Sequence, residues 1–101
     1  MQIKTKKTKG ILTFMLEGEL DEHASHNARS LLDKEISMSP APDIVFDLNR
    51  LSFMDSTGIG VLLGRYKRLC ALDKKAYITG ACPAVNKVLT AGGVYRVIQR
   101  L

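Results

Sequence analysis

Asp55, Ser56 and Thr57 stand side by side in Leu51-Ser52-Phe53-Met54-Asp55-Ser56-Thr57-Gly58-Ile59-Gly60, just before the most regular amphipathic stretch of the chain. Residues of these types can do two things at such a junction. Their side-chain oxygens can accept hydrogen bonds from the free N–H groups of a helix's first turn. A serine hydroxyl exposed at a helix start can also take a phosphoryl group from a kinase. Gly58 and Gly60 would let another backbone come close. Capping and phosphoryl acceptance are compatible, and both stay open. Nucleophilic catalysis finds no support, because no Gly-x-Ser-x-Gly elbow surrounds Ser56 and the only histidines, His23 and His26, lie far from it in sequence. No phosphate-binding loop is present either. The reading is of a protein without enzymatic turnover.

The remaining polar clusters read as surface. His23 and His26 are three apart and share a helix face, but no cysteine or other ligand cluster accompanies them, so they read as solvated side chains and no metal is expected. Cys70 and Cys82 have no metal-binding spacing and suggest reduced thiols in a cytoplasmic protein. Glu17, Glu19, Asp21 and Glu22 form an acidic cluster, a wet edge or a meeting place for a basic partner. Lys4, Lys6, Lys7 and Lys9 read as a strand edge protected from aggregation. The net charge of +5 is uneven: residues 1–50 carry seven Lys/Arg against eight Asp/Glu, and residues 51–101 carry eight against two. The bases are scattered and stacking aromatics few, which argues against nucleic acid as the partner. No apolar run approaches the ~20 residues of a membrane span, and Met1-Gln2-Ile3-Lys4 has no signal-peptide character.

The elements that would position Ser56 follow from periodicity. A hairpin is expected from Gln2 to Lys6 and Ile11 to Leu16, with Gly18-Glu19-Leu20-Asp21 ending the second strand. Ala24, Ala28, Leu31 and Leu32 mark one face of a helix over Ala24–Ile36. Pro40-Ala41-Pro42 leads into a short buried strand, Ile44-Val45-Phe46. Ile59, Leu62, Leu63, Tyr66, Leu69 and Cys70 form the stripe of the strongest helix, with Arg65, Lys67 and Arg68 opposite; Cys70 then reads as inert core. Ala76–Thr79 is a strand, Pro83 opens a third helix through Val85, Val88 and Leu89 closed by Gly92, and Val94–Gln99 is a last strand. The order β-β-α-β-α-β-α-β in a single domain, 1–101, implies an α/β fold, a mixed sheet with helices on its faces.

The block from Leu51 to Lys67 resembles the signature of anti-sigma-factor antagonists, within the wider family of domains shared with sulphate transporters (STAS domains). The match is closest to the stage II sporulation antagonists of spore-forming Gram-positive bacteria. Gly18-Glu19-Leu20-Asp21 resembles a second family signature. Cys82-Pro83-Ala84-Val85 with Gly92-Gly93-Val94 resembles the third-helix region.

The resemblance implies partner switching. The unmodified antagonist binds an anti-sigma factor and frees the sigma factor it held. That anti-sigma factor is also a serine kinase, which phosphorylates the serine after the aspartate, here Ser56 rather than Thr57. A serine/threonine phosphatase resets the cycle. ATP and its metal belong to the kinase, so no cofactor is expected on this chain. The implied partner surface comprises Asp21, Met54, Asp55, Ser56, Thr57 and Gly58, although Phe53 and Met54 read equally as core. Asp21 reads equally as a helix start. Family members usually carry one more helix after the last strand, which leads to the expectation of an uncovered apolar surface and self-association. The rival reading is a related interaction subunit in a signalling scaffold or a transporter-associated complex.

Overall fold

The first strand pair closes through Lys9 and Gly10, with Gly10 at φ +77 making the tight return. This hairpin is β1 (Gln2–Thr8) antiparallel to β2 (Ile11–Leu20). The computed structural model describes all 101 residues. It continues with α1 (Glu22–Met38), β3 (Asp43–Met54), α2 (Ser56–Ala71), β4 (Lys75–Thr79), α3 (Pro83–Ala91), a single 3₁₀ turn (Val94–Arg96) and β5 (Gln99–Arg100). The sheet order is β1-β2-β3-β4-β5, with every pairing after the hairpin parallel. The expected order of elements holds.

Alternation decides the sheet's two faces. Leu12, Phe14, Leu16, Ile44, Phe46, Leu48, Ala76 and Ile78 point to one side and are buried there. All three helices contribute to that same apolar cluster, through Ala28, Leu32 and Ile36, through Val61, Leu62 and Leu69, and through Val85 and Leu89. The rings of Phe14 and Phe46 stack at its centre, 5.8 Å between centroids. The other side carries Thr13, Met15, Val45, Asp47, Tyr77 and Thr79, none of them fully buried. Lys4, Lys6, Lys7 and Lys9 are exposed on and beside the edge strand β1, as expected.

Three elements differ from the sequence reading. β2 passes through Gly18 at φ +103 instead of ending there, and β3 extends to Met54 rather than stopping at Phe46. The two strands run side by side with register shifts between Met15 and Glu17 and between Gly18 and Glu19, where β3 contributes extra residues. Such bulges break the period-two pattern, which is why Asp47 to Ser52 did not read as strand. The last segment is not a strand over Val94–Gln99. Val94 and Ile98 are both fully buried, and the Ile98 N–H donates to the Val94 carbonyl at 2.9 Å. That four-residue spacing is helical, so pairing begins only at Gln99.

The buried side of α2 is also rotated. Gly58, Val61, Leu62 and Leu69 are buried, Ile59, Leu63 and Tyr66 are half-buried, and Cys70 is exposed rather than core. Arg65, expected outside, keeps only 12 % of its side chain exposed and sits against Asp33 of α1 at 2.9 Å. Burial pushes its guanidinium pKa down, and the Asp33 carboxylate opposes that shift.

Candidate functional site

Each parallel strand delivers its chain into a helix at the same end of the sheet, so the starts of α1, α2 and α3 share that end. In open α/β sheets the carboxyl ends of the strands are where loops and helix N-termini meet a ligand or partner. Asp55 holds the start of α2. One oxygen of its carboxylate accepts from the N–H groups of Thr57 at 2.9 Å and Gly58 at 3.2 Å. Asp21 does the same for α1, accepting from His23 and Ala24, each at 3.0 Å. The two caps have nearly the same backbone, φ −114 and ψ −171 against φ −113 and ψ −170. They are neighbours: the Asp55 N–H lies 3.5 Å from the Leu20 carbonyl, one residue before Asp21. Asp21 therefore starts a helix and borders the Ser56 end of the sheet at once.

Ser56 is the first residue of α2, exposed, and its hydroxyl is not the cap. The capping reading of this junction belongs to Asp55. Thr57, one residue on, is half-buried. The hydroxyl free to meet another protein is that of Ser56.

Two of the residues assigned to the partner surface turn inward. Met54 is only 2 % exposed and Gly58 is buried. A Cβ at position 58 would stand 2.6 Å from Met54 Cγ and 2.9 Å from the Leu20 carbonyl oxygen. Gly58 is thus the point where α2 rests on the ends of β2 and β3, and Met54 fills the space beneath. Neither offers side-chain surface to a partner. The apolar group that faces out is Phe53, 46 % exposed and paired in register with Glu19. Two one-residue bulges lie between Asp47 and Phe53; the first turns Leu51 inward and the second restores the alternation of Ile44, Phe46 and Leu48, so that Met54 faces in and Phe53 out. The Ser52 hydroxyl secures this arrangement by donating to the Gly18 carbonyl at 2.9 Å. Alternation carried on from Ile44 and Phe46 through a longer strand places Phe53 outside and Met54 inside. Cys82, at the start of α3, lies 3.7 Å from the Leu51 carbonyl through its sulfur, which brings the third helix to the same end. His23 and His26 are both exposed.

Carboxylates gather at this end. Glu19, Asp21, Glu22 and Asp55 belong to the helix starts and the strand ends beside them, in a chain whose net charge is +5. A basic surface is what complements it.

The family model described as the STAS domain matches residues 2–101. The chain is 35 % identical over 98 residues to the anti-sigma F factor antagonist of Paenibacillus polymyxa, covering 97 % of this chain and 84 % of that one. It is 31 % identical over 77 residues to the anti-sigma-B factor antagonist of Staphylococcus aureus, covering 76 % and 70 %. Among solved structures, the anti-sigma factor antagonist SpoIIAA in its unphosphorylated form superposes with a TM-score of 0.84 at 30 % identity, over 99 % of this chain and 88 % of that one. The Bacillus SpoIIAA in its phosphorylated form superposes with a TM-score of 0.74 at 29 % identity, over 99 % and 91 %.

Proposed function

The chain belongs to the STAS domain family, as one of its anti-sigma-factor antagonists, and we propose that its binding is controlled by phosphorylation of Ser56. Unmodified, the end of the sheet around Asp21, Phe53, Asp55 and Ser56 docks on an anti-sigma factor and displaces the sigma factor held there. The same anti-sigma factor acts as the serine kinase and contributes the ATP and metal. A serine/threonine phosphatase restores the free hydroxyl. Regulation of sporulation is the setting that the relatives of this chain suggest.

One observation carries the reading: Ser56 is exposed at the first helical position, immediately after the aspartate that already caps the helix. Its hydroxyl has no structural duty there, so modification costs the fold no hydrogen bond. A phosphate adds about −1.5 to −2 charges at neutral pH. At a helix N-terminus that charge contributes ~0.3–1 kcal/mol of stabilisation when exposed. Asp55, Asp21 and Glu22 oppose it by like-charge repulsion. The fold therefore survives, and the surface becomes bulkier and more negative where a partner must fit. A loss of about 3 kcal/mol at that contact lowers affinity about a hundredfold.

The test is to incubate the protein with its candidate anti-sigma kinase and ATP and to map the phosphate by mass spectrometry. The phosphate is expected on Ser56 alone, with Ser56→Ala unlabelled and Thr57→Ala labelled like the parent. Phosphate on Thr57, or none on a chain that binds the kinase normally, overturns the assignment.

A further inference from the structure

α1 has two apolar lines. Ala28, Leu32 and Ile36 enter the core, while Ala24, Ala28 and Leu31 run along the side facing the hairpin. With Ile3 and Met1 this second line borders an open groove of about 550 Å³. Met1 and Leu31 remain 45 % and 38 % exposed on its walls. One end of the groove is shaped by Gly18, at φ +103, where an added Cβ would stand 3.3 Å from Met1 Cα. The backbone of the first residue lies against the strand there.

The rim of this groove is acidic. Glu19 and Asp21 line it, with Glu17 and Glu22 flanking them in sequence, so four of the ten carboxylates fall within residues 17–22 of a chain of net charge +5. No lysine or arginine side chain lines the groove. The ion pairs of the molecule both engage Asp33, which leaves the rim carboxylates unpaired.

We propose that this groove docks a cationic amphipathic helix of a partner protein. Ala24, small and only half-buried, lets a second helix approach the first turns of α1 closely, at the ~8–10 Å interaxial distances of packed helices. Ala24 to Leu31 spans about two turns, ~10 Å, room for apolar anchors at i, i+3 or i+4, and i+7. Met1, Ile3 and Leu31 meet those anchors. Lysines or arginines on the flank of the incoming helix meet Glu19 and the Asp21 oxygen that does not cap α1. Because Asp21 also belongs to the Ser56 end, the groove extends the same surface; it does not depend on Ser56 being phosphorylated.

The experiment titrates the isotope-labelled full chain with an acetylated peptide of about 15 residues, leucine at helical anchor spacing and lysine elsewhere, followed by NMR. Amide shifts are expected at Ile3, Gly18, Ala24 and Leu31. Leu31→Glu and Glu19→Lys, both at exposed positions and checked for folding by circular dichroism, each weaken binding by about tenfold or more. Thr90→Ala, exposed on α3 and away from the groove, leaves it unchanged, and added salt weakens it. The same peptide with glutamate in place of lysine does not bind. Absence of binding, shifts centred elsewhere, or equal affinities across the variants overturn the proposal. Kinase labelling of Ser56 in these same variants reads the phosphorylation separately, so failure of one idea is not mistaken for failure of the other.

Discussion

The starts of α1 and α2 are built alike and differ at the position that matters. Both have an aspartate cap with the same backbone geometry and the same pair of accepted N–H bonds. After the cap, α1 has Glu22 and α2 has Ser56. A permanent negative charge thus occupies, in α1, the place where phosphorylation would add one in α2. The comparison shows that the local geometry accepts a carboxylate next to the capping aspartate, as the helix dipole leads one to expect. What distinguishes the two starts is that α2 has a neutral hydroxyl, the proposed acceptor, where α1 has a fixed carboxylate.

The largest expected effect comes from making the two starts the same. Ser56→Glu copies α1 into α2 and should lower affinity for the anti-sigma factor by about a hundredfold, ~2.7 kcal/mol, with the melting temperature nearly unchanged. Isothermal calorimetry and thermal denaturation check both halves. A Ser56→Glu chain that binds like the parent removes the role of charge at this position.

The third helical position comes next, Ala24 in α1 and Gly58 in α2. Gly58→Ala should cost ~1–3 kcal/mol, because the new methyl meets Met54 and the Leu20 backbone and one of them must move. Urea denaturation measures it. A cost below about 0.5 kcal/mol means that α2 is not seated on Leu20 as described.

Removing either cap should cost about 1 kcal/mol, within the usual 0.5–2 range, so Asp21→Ala and Asp55→Ala are expected to be equal in stability. If one costs much more than the other, the caps are not equivalent. The smallest effect belongs to Ser56→Ala, which should shift stability by less than about 0.5 kcal/mol, because Asp55 and not Ser56 caps the helix. A larger loss would give the hydroxyl a structural duty.

Much of this site was legible in the residues. Asp55-Ser56-Thr57-Gly58 before a long amphipathic helix marks a capped start, because capping is local chemistry acting over two or three residues; the structure decides that Asp55 is the cap. The order of elements was legible for a similar reason, since proline, glycine and periodicity act within a few residues. Which side chains face outward at the end of β3 was not. Phe53 and Met54 are both large and apolar, and it is the extension of β3 through its two bulges, held by pairing with β2, that makes them strand residues with one in solvent and the other under Gly58. Likewise a helical stripe does not say which of its edges the rest of the fold covers: Gly58 and Val61 are buried, Arg65 meets Asp33 of α1, and Cys70 is left exposed. The sequence by itself determined the order of the elements, a capped start to α2 and the acceptor candidate. Register and helix rotation were decided by the tertiary structure, because both depend on contacts between segments about thirty residues apart, where no local periodicity distinguishes the alternatives.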